Sequence, residues 1–350
     1  MITEVDKIQI VSWILTRKCN LKCHYCRIVR NYDNKPSKYP YMSYYLKNEM
    51  STDYVIDILY RLKKHNKNIF HIFYGGEPLL RKDLPEIISF CNDEKINYTI
   101  ITNNTEEIQP LMEKLINKTG YLQGITSSVD PVIINQHETK SDRYKKSVSG
   151  FNRLIDLKDV CTDRVAEITV DNESLAHLPD LVELMTKNDI SSDITFIDIS
   201  KSEYYDFSNI IDENQLVNKS KTLMTSFSKI LENDYQVHMA DCLLPEMFCM
   251  LPSNYDCEME NGVHNLTIDS DGSVRLCLRI RGVITPKKKV HEYVTKDGEL
   301  RSLRYAIKYD KDLWCKKCNW TCVIMSKILY NKDDSLDNLL HSNKRDTNNG

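Results

Sequence analysis

Cys19, Cys23 and Cys26, in the run Cys19-Asn20-Leu21-Lys22-Cys23-His24-Tyr25-Cys26, bring three thiols into one short loop. At this CxxxCxxC spacing each thiolate can bind a separate iron of one cubane cluster. A complete four-iron site ordinarily takes four cysteines. Three leave one iron without a protein ligand, open to a substrate or a cofactor. Taken alone, the same spacing also fits half of a structural zinc site. A second run that could carry chemistry follows about fifty residues later, where Ile69-Phe70-His71-Ile72-Phe73-Tyr74 leads into Gly75-Gly76-Glu77-Pro78. Paired glycines let backbone approach a ligand closely, and Glu77 supplies a carboxylate.

The elements that must position these groups alternate between two periodicities. Ile8 to Leu15 reads as a short apolar strand ending at Thr16, and Ile69 to Tyr74 as a second. Between them, Val55, Ile58, Leu59 and Leu62 mark one face of a helix over 52–65. A helix from Leu84 to Asp93 precedes a strand from Tyr98 to Thr102, and Leu111, Met112, Leu115 and Ile116 mark the next helix. A strand from Ile125 to Asp130 and a helix from Tyr144 to Leu157 follow. Strands from Val165 to Val170 and from Ile194 to Ile199 flank a helix carrying Leu178, Leu181, Val182 and Met185, and a last helix spans about 213–233. Six strands alternating with helices predict a parallel sheet with helices on its outer face.

Composition narrows the function classes. The chain has 350 residues, a net charge of −3 and 12 cysteines. That length holds one large domain and a small one. The charge gives no polyanion footprint, so nucleic acid is not implied. No signal peptide or long apolar run is present, which predicts a cytoplasmic protein with no membrane partner. Many cysteines without an export signal point to metal ligation rather than disulfides. Residues 27–49 hold Tyr32, Tyr39, Tyr41, Tyr44 and Tyr45, either a substrate lid or a self-packed insertion.

Past residue 235 the rhythm stops and cysteines return. Alternating apolar residues around Ser270-Asp271-Gly272 read as a β-hairpin that ends at Cys277, with Cys257 upstream. Trp314-Cys315-Lys316-Lys317-Cys318-Asn319-Trp320-Thr321-Cys322 adds three thiols. Cys91, Cys161 and Cys242 fit no ligand pattern and read as buried small apolar residues. Residues 331–350 are polar and aperiodic, as in a disordered tail.

The CxxxCxxC loop after an apolar strand, followed by Gly75-Gly76-Glu77-Pro78 after a second, resembles the radical S-adenosylmethionine (SAM) superfamily. The resemblance covers residues 8–235 and implies a partial (β/α)6 TIM-like barrel with ligands at the C-terminal strand ends. It implies a [4Fe-4S] cluster on Cys19, Cys23 and Cys26 whose fourth iron binds SAM. SAM would be held by Tyr25, Gly75, Gly76, Glu77, Asn103, Ser128 and Asp130, with Thr102, Asn104, Ser127 and Asn172 at neighbouring strand ends. Reductive cleavage would give a 5′-deoxyadenosyl radical that removes hydrogen from a substrate carbon.

Gly272-x-x-x-x-Cys277, with Cys257 before it and a distant CxxC after it, resembles the auxiliary twitch/SPASM modules of the same superfamily. This implies a small cysteine-rich α+β module over 236–330, after a barrel domain over 1–235. Its second [4Fe-4S] cluster would sit on Cys257, Cys277, Cys315 and Cys318, with Cys322 as a substitute and Cys249 as a further recruit. A zinc ribbon from the same thiols is the alternative. The implied enzyme oxidises a peptide, protein or small molecule, fed by a flavodoxin- or ferredoxin-type electron donor. A non-catalytic homologue acting as a binding partner is the reading from outside enzymology. Asp269, Asp271 and Tyr255 are candidate bases near the module.

Overall fold

The computed structural model describes residues 8–21, 23, 26, 47–105, 120–134, 142–161, 163–170, 174–196, 226, 229–230, 232–233, 235–237, 265–275 and 289–299. Outside them lie Tyr25, the tyrosines of 27–46, Asn172, Tyr255 and the helix expected around 111–116. Cys242, Cys249, Cys257, Cys277, Cys315, Cys318 and Cys322 also lie outside the described residues, as does 300–350.

Six parallel strands form in chain order: β1 (Ile10–Thr16), β2 (Phe70–Gly75), β3 (Tyr98–Thr102), β4 (Leu122–Ser128), β5 (Asp163–Val170) and β6 (Ser191–Phe196). Helices α1 (Thr52–His65), α2 (Leu84–Asp93), α3 (Asp142–Asp156) and α4 (Leu178–Lys187) connect them. The expected strand–helix alternation is therefore present, as a parallel α/β sheet. Local chemistry places the helix ends. Ser51 caps α1 by accepting the Tyr54 N–H at 3.3 Å, Asp53 sits in its first turn, and Lys63, Lys64 and His65 sit in its last. Helices α2 and α4 each carry a proline, Pro85 and Pro179, in the first turn, where the missing N–H costs nothing.

Two differences from the sequence reading concern strand starts. Strand β6 begins at Ser191 rather than Ile194, and β4 begins at Leu122 rather than Ile125. Strand β6 opens on Ser-Ser-Asp and β4 on Leu-Gln-Gly, and ladder bonds to the neighbouring strand, more than propensity, fix these residues as strand. Val129 and Asp130 lie beyond β4, and a short 3-10 turn follows from Pro131.

A larger difference is on the other edge. The hairpin read as part of a C-terminal module forms β7 (Asn265–Ile268) and β8 (Val274–Arg275), and β7 pairs in parallel with β1. The sheet runs β6-β5-β4-β3-β2-β1-β7-β8, two strands beyond the six expected. After the hairpin, a single helical turn, α5 (Val290–Tyr293), and the residues behind it lie along α1. There Tyr54 Oη and His291 Nδ1 are 2.7 Å apart, Arg61 donates to the Val294 carbonyl, and Lys64 donates to that of Lys296.

The two faces of the sheet differ. Val11, Trp13, Phe73, Ile100, Ile125, Ile168 and Ile194 point into a core closed by Val55, Ile58, Leu59 and Leu62 of α1, Ile87 and Ile88 of α2, and Leu181, Val182 and Met185 of α4. Cys91 and Cys161 are buried in it, as expected for cysteines without a ligand role. On the other, inner face Ser12, Ile72, Thr99, Thr126, Ser128, Glu167 and Asp193 stay half-buried. Among the described residues the helices pack on the first face only.

One core group titrates. The His71 ring is enclosed on the helical face, where Trp13 Nε1 donates to its Nδ1 at 3.0 Å. Burial pulls its pKa down to about 3. The folded value lies below the unfolded one near 6.5, so this contribution to stability is complete above pH 6.5 and is lost as pH falls toward 3. In chemical denaturation, wild type should lose about 1.4 kcal/mol more per pH unit below ~6 than His71→Phe does. Equal slopes would mean that the ring is open to water.

Candidate functional site at the C-terminal strand ends

Strands β1 to β6 all end on one edge, and the thiol loop leaves from the end of β1. Two backbone hydrogen bonds dock it to the motif after β2: Gly76 N–H to the Thr16 carbonyl and Glu77 N–H to the Lys18 carbonyl, both 2.7 Å. The glycines have a steric reason. A Cβ at Gly75, whose φ is +153°, would lie 2.3 Å from the Thr16 carbonyl oxygen. At Gly76 it would lie 2.1 Å from that of Lys18. What approaches the glycines here is the backbone of the thiol loop itself.

Glu77 turns back into the protein and is fully buried. Its carboxylate accepts from Leu79 N–H at 3.0 Å, from Thr102 Oγ1 at 2.8 Å and from Asn103 N–H at 2.8 Å. Burial raises its pKa to about 7, opposed by these three donors. Glu77 therefore joins the end of β2 to the end of β3. Asn103 continues the chain of contacts: its Nδ2 donates to Asn20 Oδ1 at 2.9 Å and lies 3.7 Å from Cys19 Sγ. Asn20 Nδ2 in turn donates to Thr105 Oγ1 at 2.8 Å.

The thiols sit at the end of this chain. Cys19, Cys23 and Cys26 form no disulfide among the described residues and are half-buried. Leu21 N–H donates to Cys19 Sγ at 3.4 Å, and Cys26 N–H to the Cys23 carbonyl at 3.1 Å. Burial pushes the Cys19 thiol up to about 12, with further upward pushes from Glu77, Cys26 and Cys23. A bare thiolate is disfavoured there, and a metal ligated by the sulfur would stabilise it. Among the described residues no three His, Cys, Asp or Glu side chains gather around a single ion position, these thiols included. A cubane instead takes each thiolate on a different iron. Three thiols and two N–H donors to sulfur match the donor set of such a cluster.

The remaining expected contacts separate. Ser128 ends β4 on the inner face, in register with Glu167 of β5. Asp130 is fully buried and engaged: Arg143 Nε lies 2.9 Å and Lys146 Nζ 3.1 Å from its Oδ2. Thr169 N–H donates to its Oδ1 at 3.3 Å. It ties β4, α3 and β5 together behind the strand ends. Asn104, at φ +48°, is fully buried, and among the described residues neither its Nδ2 nor its Oδ1 is paired. Asparagine tolerates that left-handed conformation better than other non-glycine residues.

Two features escaped the sequence reading. Glu167 and Asp193 are register partners on the inner face of β5 and β6. Burial raises Glu167 to about 7, assisted by Asp193. Strand alternation would have placed Glu167 on that face, but β6 was read three residues late. The candidate bases Asp269 and Asp271 are also reassigned. Both are buried; Asp269 pairs with Arg17 and Asp271 with Lys289 at 2.8 Å, so both carboxylates are taken up in structural contacts.

Among the described residues no helix is long and apolar enough to cross a membrane. The family model described as "Radical SAM superfamily" matches residues 13–185, which hold the thiol loop and the glycine motif. An Fe-coproporphyrin III synthase of Methanosarcina barkeri is 26% identical over 189 residues, 53% of this chain and 43% of the relative. A probable GTP 3',8-cyclase of Methanocaldococcus jannaschii is 29% identical over 217 residues, 60% of this chain and 67% of the relative. Other curated relatives, such as an AdoMet-dependent heme synthase of Methanosarcina barkeri, are matched over less than half of their own length. All three are named as enzymes. Among solved structures, Streptococcus suis SuiB bound to S-adenosylmethionine superposes with a TM-score of 0.59 at 16% identity, over 92% of this chain and 75% of that one. anSMEcpe with bound AdoMet and Cp18Cys peptide gives 0.54 at 15% identity, over 89% and 86%. At these identities the superpositions speak for the fold, and the sequence match within it speaks for descent: residues 13–185 of the chain belong to the radical SAM superfamily.

Proposed function

We propose that this chain reductively cleaves S-adenosylmethionine at a [4Fe-4S] cluster on Cys19, Cys23 and Cys26 and uses the resulting 5′-deoxyadenosyl radical to take hydrogen from a substrate carbon. The observation that carries the proposal is the docking of the thiol loop on Gly76 and Glu77, with Leu21 N–H and the Asn103 amide directed at Cys19 sulfur. Such N–H groups favour the ligated thiolate and tune a cluster's potential. Gly75, Gly76, Glu77, Asn103 and Ser128 are the proposed SAM contacts at the strand ends, with Tyr25 from the loop. Asp130 holds α3 against the ends of β4 and β5 and acts through them. The half-buried inner face, with Glu167 and Asp193 side by side, is where a substrate would lie out of bulk water.

A peptide or protein substrate is the favoured class, with a small molecule as the other. SuiB has been solved with its precursor peptide SuiA, and anSMEcpe with the Cp18Cys peptide, on folds that superpose over most of this chain. A second [4Fe-4S] cluster on Cys257, Cys277, Cys315 and Cys318, with Cys322 as substitute, completes the proposal. It would take up an electron from the substrate radical, while a flavodoxin- or ferredoxin-type donor in the cytoplasm supplies the electron that reduces the first cluster. Arg275, at the end of β8, lies two residues before Cys277 in the chain.

Iron, acid-labile sulfide and zinc per chain after anaerobic reconstitution test this reading. The expected result is about eight irons in the wild type and about four when Cys19, Cys23 and Cys26 are all alanine. Dithionite and SAM should yield 5′-deoxyadenosine from the first protein only. About four irons that vanish in the variant, with zinc retained, would leave the first cluster and remove the second. Zinc alone would overturn both. The close approach at Gly76 gives a separate check. Gly76→Ala should strain the loop contact by about 1–3 kcal/mol. Iron uptake at the first site should drop while circular dichroism stays that of the folded sheet; undiminished uptake would show that the approach is dispensable.

A further inference from the structure

Arg17 is the first residue beyond β1 and stands two residues before Cys19. Its backbone lies between the two docking bonds, at Thr16 and at Lys18, that hold the loop to Gly76 and Glu77. Its guanidinium leaves in another direction and meets Asp269, 252 residues later in the chain. Nε donates to Oδ1 at 2.9 Å and Nη2 to Oδ2 at 2.5 Å, a two-pronged match of planar fork and carboxylate. The side chains are 8% and 0% exposed.

The carboxylate is itself fixed. Asp269 opens the β7–β8 turn, its Oδ1 accepts from Ser270 N–H at 2.8 Å, and its N–H donates to the Ser273 carbonyl at 2.8 Å. Gly272, at φ +81°, closes the turn directly against the Tyr54 ring, where a Cβ would lie 2.8 Å from Cε1. The turn is also anchored independently of the pair. Met50 N–H donates to the Ser270 carbonyl at 2.7 Å, and β7 pairs with β1 over four residues. Arg81 then joins the Met50 carbonyl, at 2.7 Å, to the Leu15 carbonyl, at 2.9 Å. A rigid acceptor on an anchored turn thus holds a cation at the root of the thiol loop.

We infer that Arg17 and Asp269 are a positioning pair for the cluster and SAM site. The β7–β8 turn, outside the 13–185 region matched by the family model, sets the path of the loop that presents Cys19, Cys23 and Cys26. The inference rests on the proposed cluster for its consequence and on the bare protein for its geometry. Removing the pair frees the loop while the hairpin stays docked by its backbone bonds.

Full-length Asp269→Asn tests this, with Arg17→Lys as the second variant because it keeps the charge and loses the fork. The first readout is hydrogen exchange of the metal-free chain. Loss of a charge-assisted fork should speed exchange of the amides over 17–21 about tenfold, with β3 to β6 unchanged. The second is the reconstituted protein. Iron at the first site should assemble, and the SAM concentration that half-saturates the change in the reduced cluster's electron paramagnetic resonance signal should rise about tenfold. Asp269→Glu, which keeps the carboxylate, should recover part of both. Unchanged exchange over 17–21, or faster exchange spread evenly over the sheet, would overturn the inference. If wild type binds no iron, the cluster reading fails, and the metal-free exchange still decides the pair.

Discussion

The structure depends on one close approach between two backbones. At the ends of β1 and β2 the chain leaves no room for a Cβ at two successive positions, and two short amide–carbonyl bonds fill the contact. Everything proposed for the site follows from that seam. It fixes where the thiol loop starts, it turns Glu77 inward, and through Glu77 it brings the end of β3 up to Asn20 and Cys19. Parallel strands give such a seam a fixed height, since their C-terminal ends lie at one edge. The glycines thus serve protein–protein packing inside one chain before they serve any ligand.

Around the seam the chain uses buried charge to hold directions rather than to add stability. Arg17 with Asp269, and Asp130 with Arg143 and Lys146, each join segments held on different elements. A buried ion pair gains little over well-packed apolar residues, but losing one partner costs about 3–5 kcal/mol. A ring of such pairs therefore resists distortion at the strand ends. Glu167 lies instead on the inner face beside Asp193, and burial raises its carboxyl to about 7. The outer charges are matched to build the frame, while the inner ones face the region left for a substrate.

What the sequence could show was governed by range. Helix α1 over 52–65, α2 over 84–93 and β3 over 98–102 were legible because period and end signals agree within each segment. The thiol loop and the glycine motif were legible as chemistry for the same reason. Strand β6 was displaced because its first three residues are Ser, Ser and Asp, and only the ladder with β5 makes them strand. The hairpin at 265–275 was legible as a hairpin, but alternation says nothing about which edge it will join. Arg17 and Asp269 carried no local signal at all, since each is an ordinary charged residue until the other arrives. For Tyr25, Asn172 and the cysteines from Cys242 onward, the reading remains the one the sequence supports.

The pairing of β1 with β7 has a consequence for how the chain is made. About 250 residues separate the two strands, and a ribosome adding ~5–20 residues per second needs on the order of tens of seconds to cover them. For that time β1 is an edge strand with an open ladder, and Arg17 has no carboxylate to meet. The thiol loop leaves the ribosome early and receives its final support late. Any metal delivered to the nascent chain meets three cysteines on a loop whose root is not yet set, so the order of synthesis itself favours loading after the C-terminal hairpin has closed the sheet.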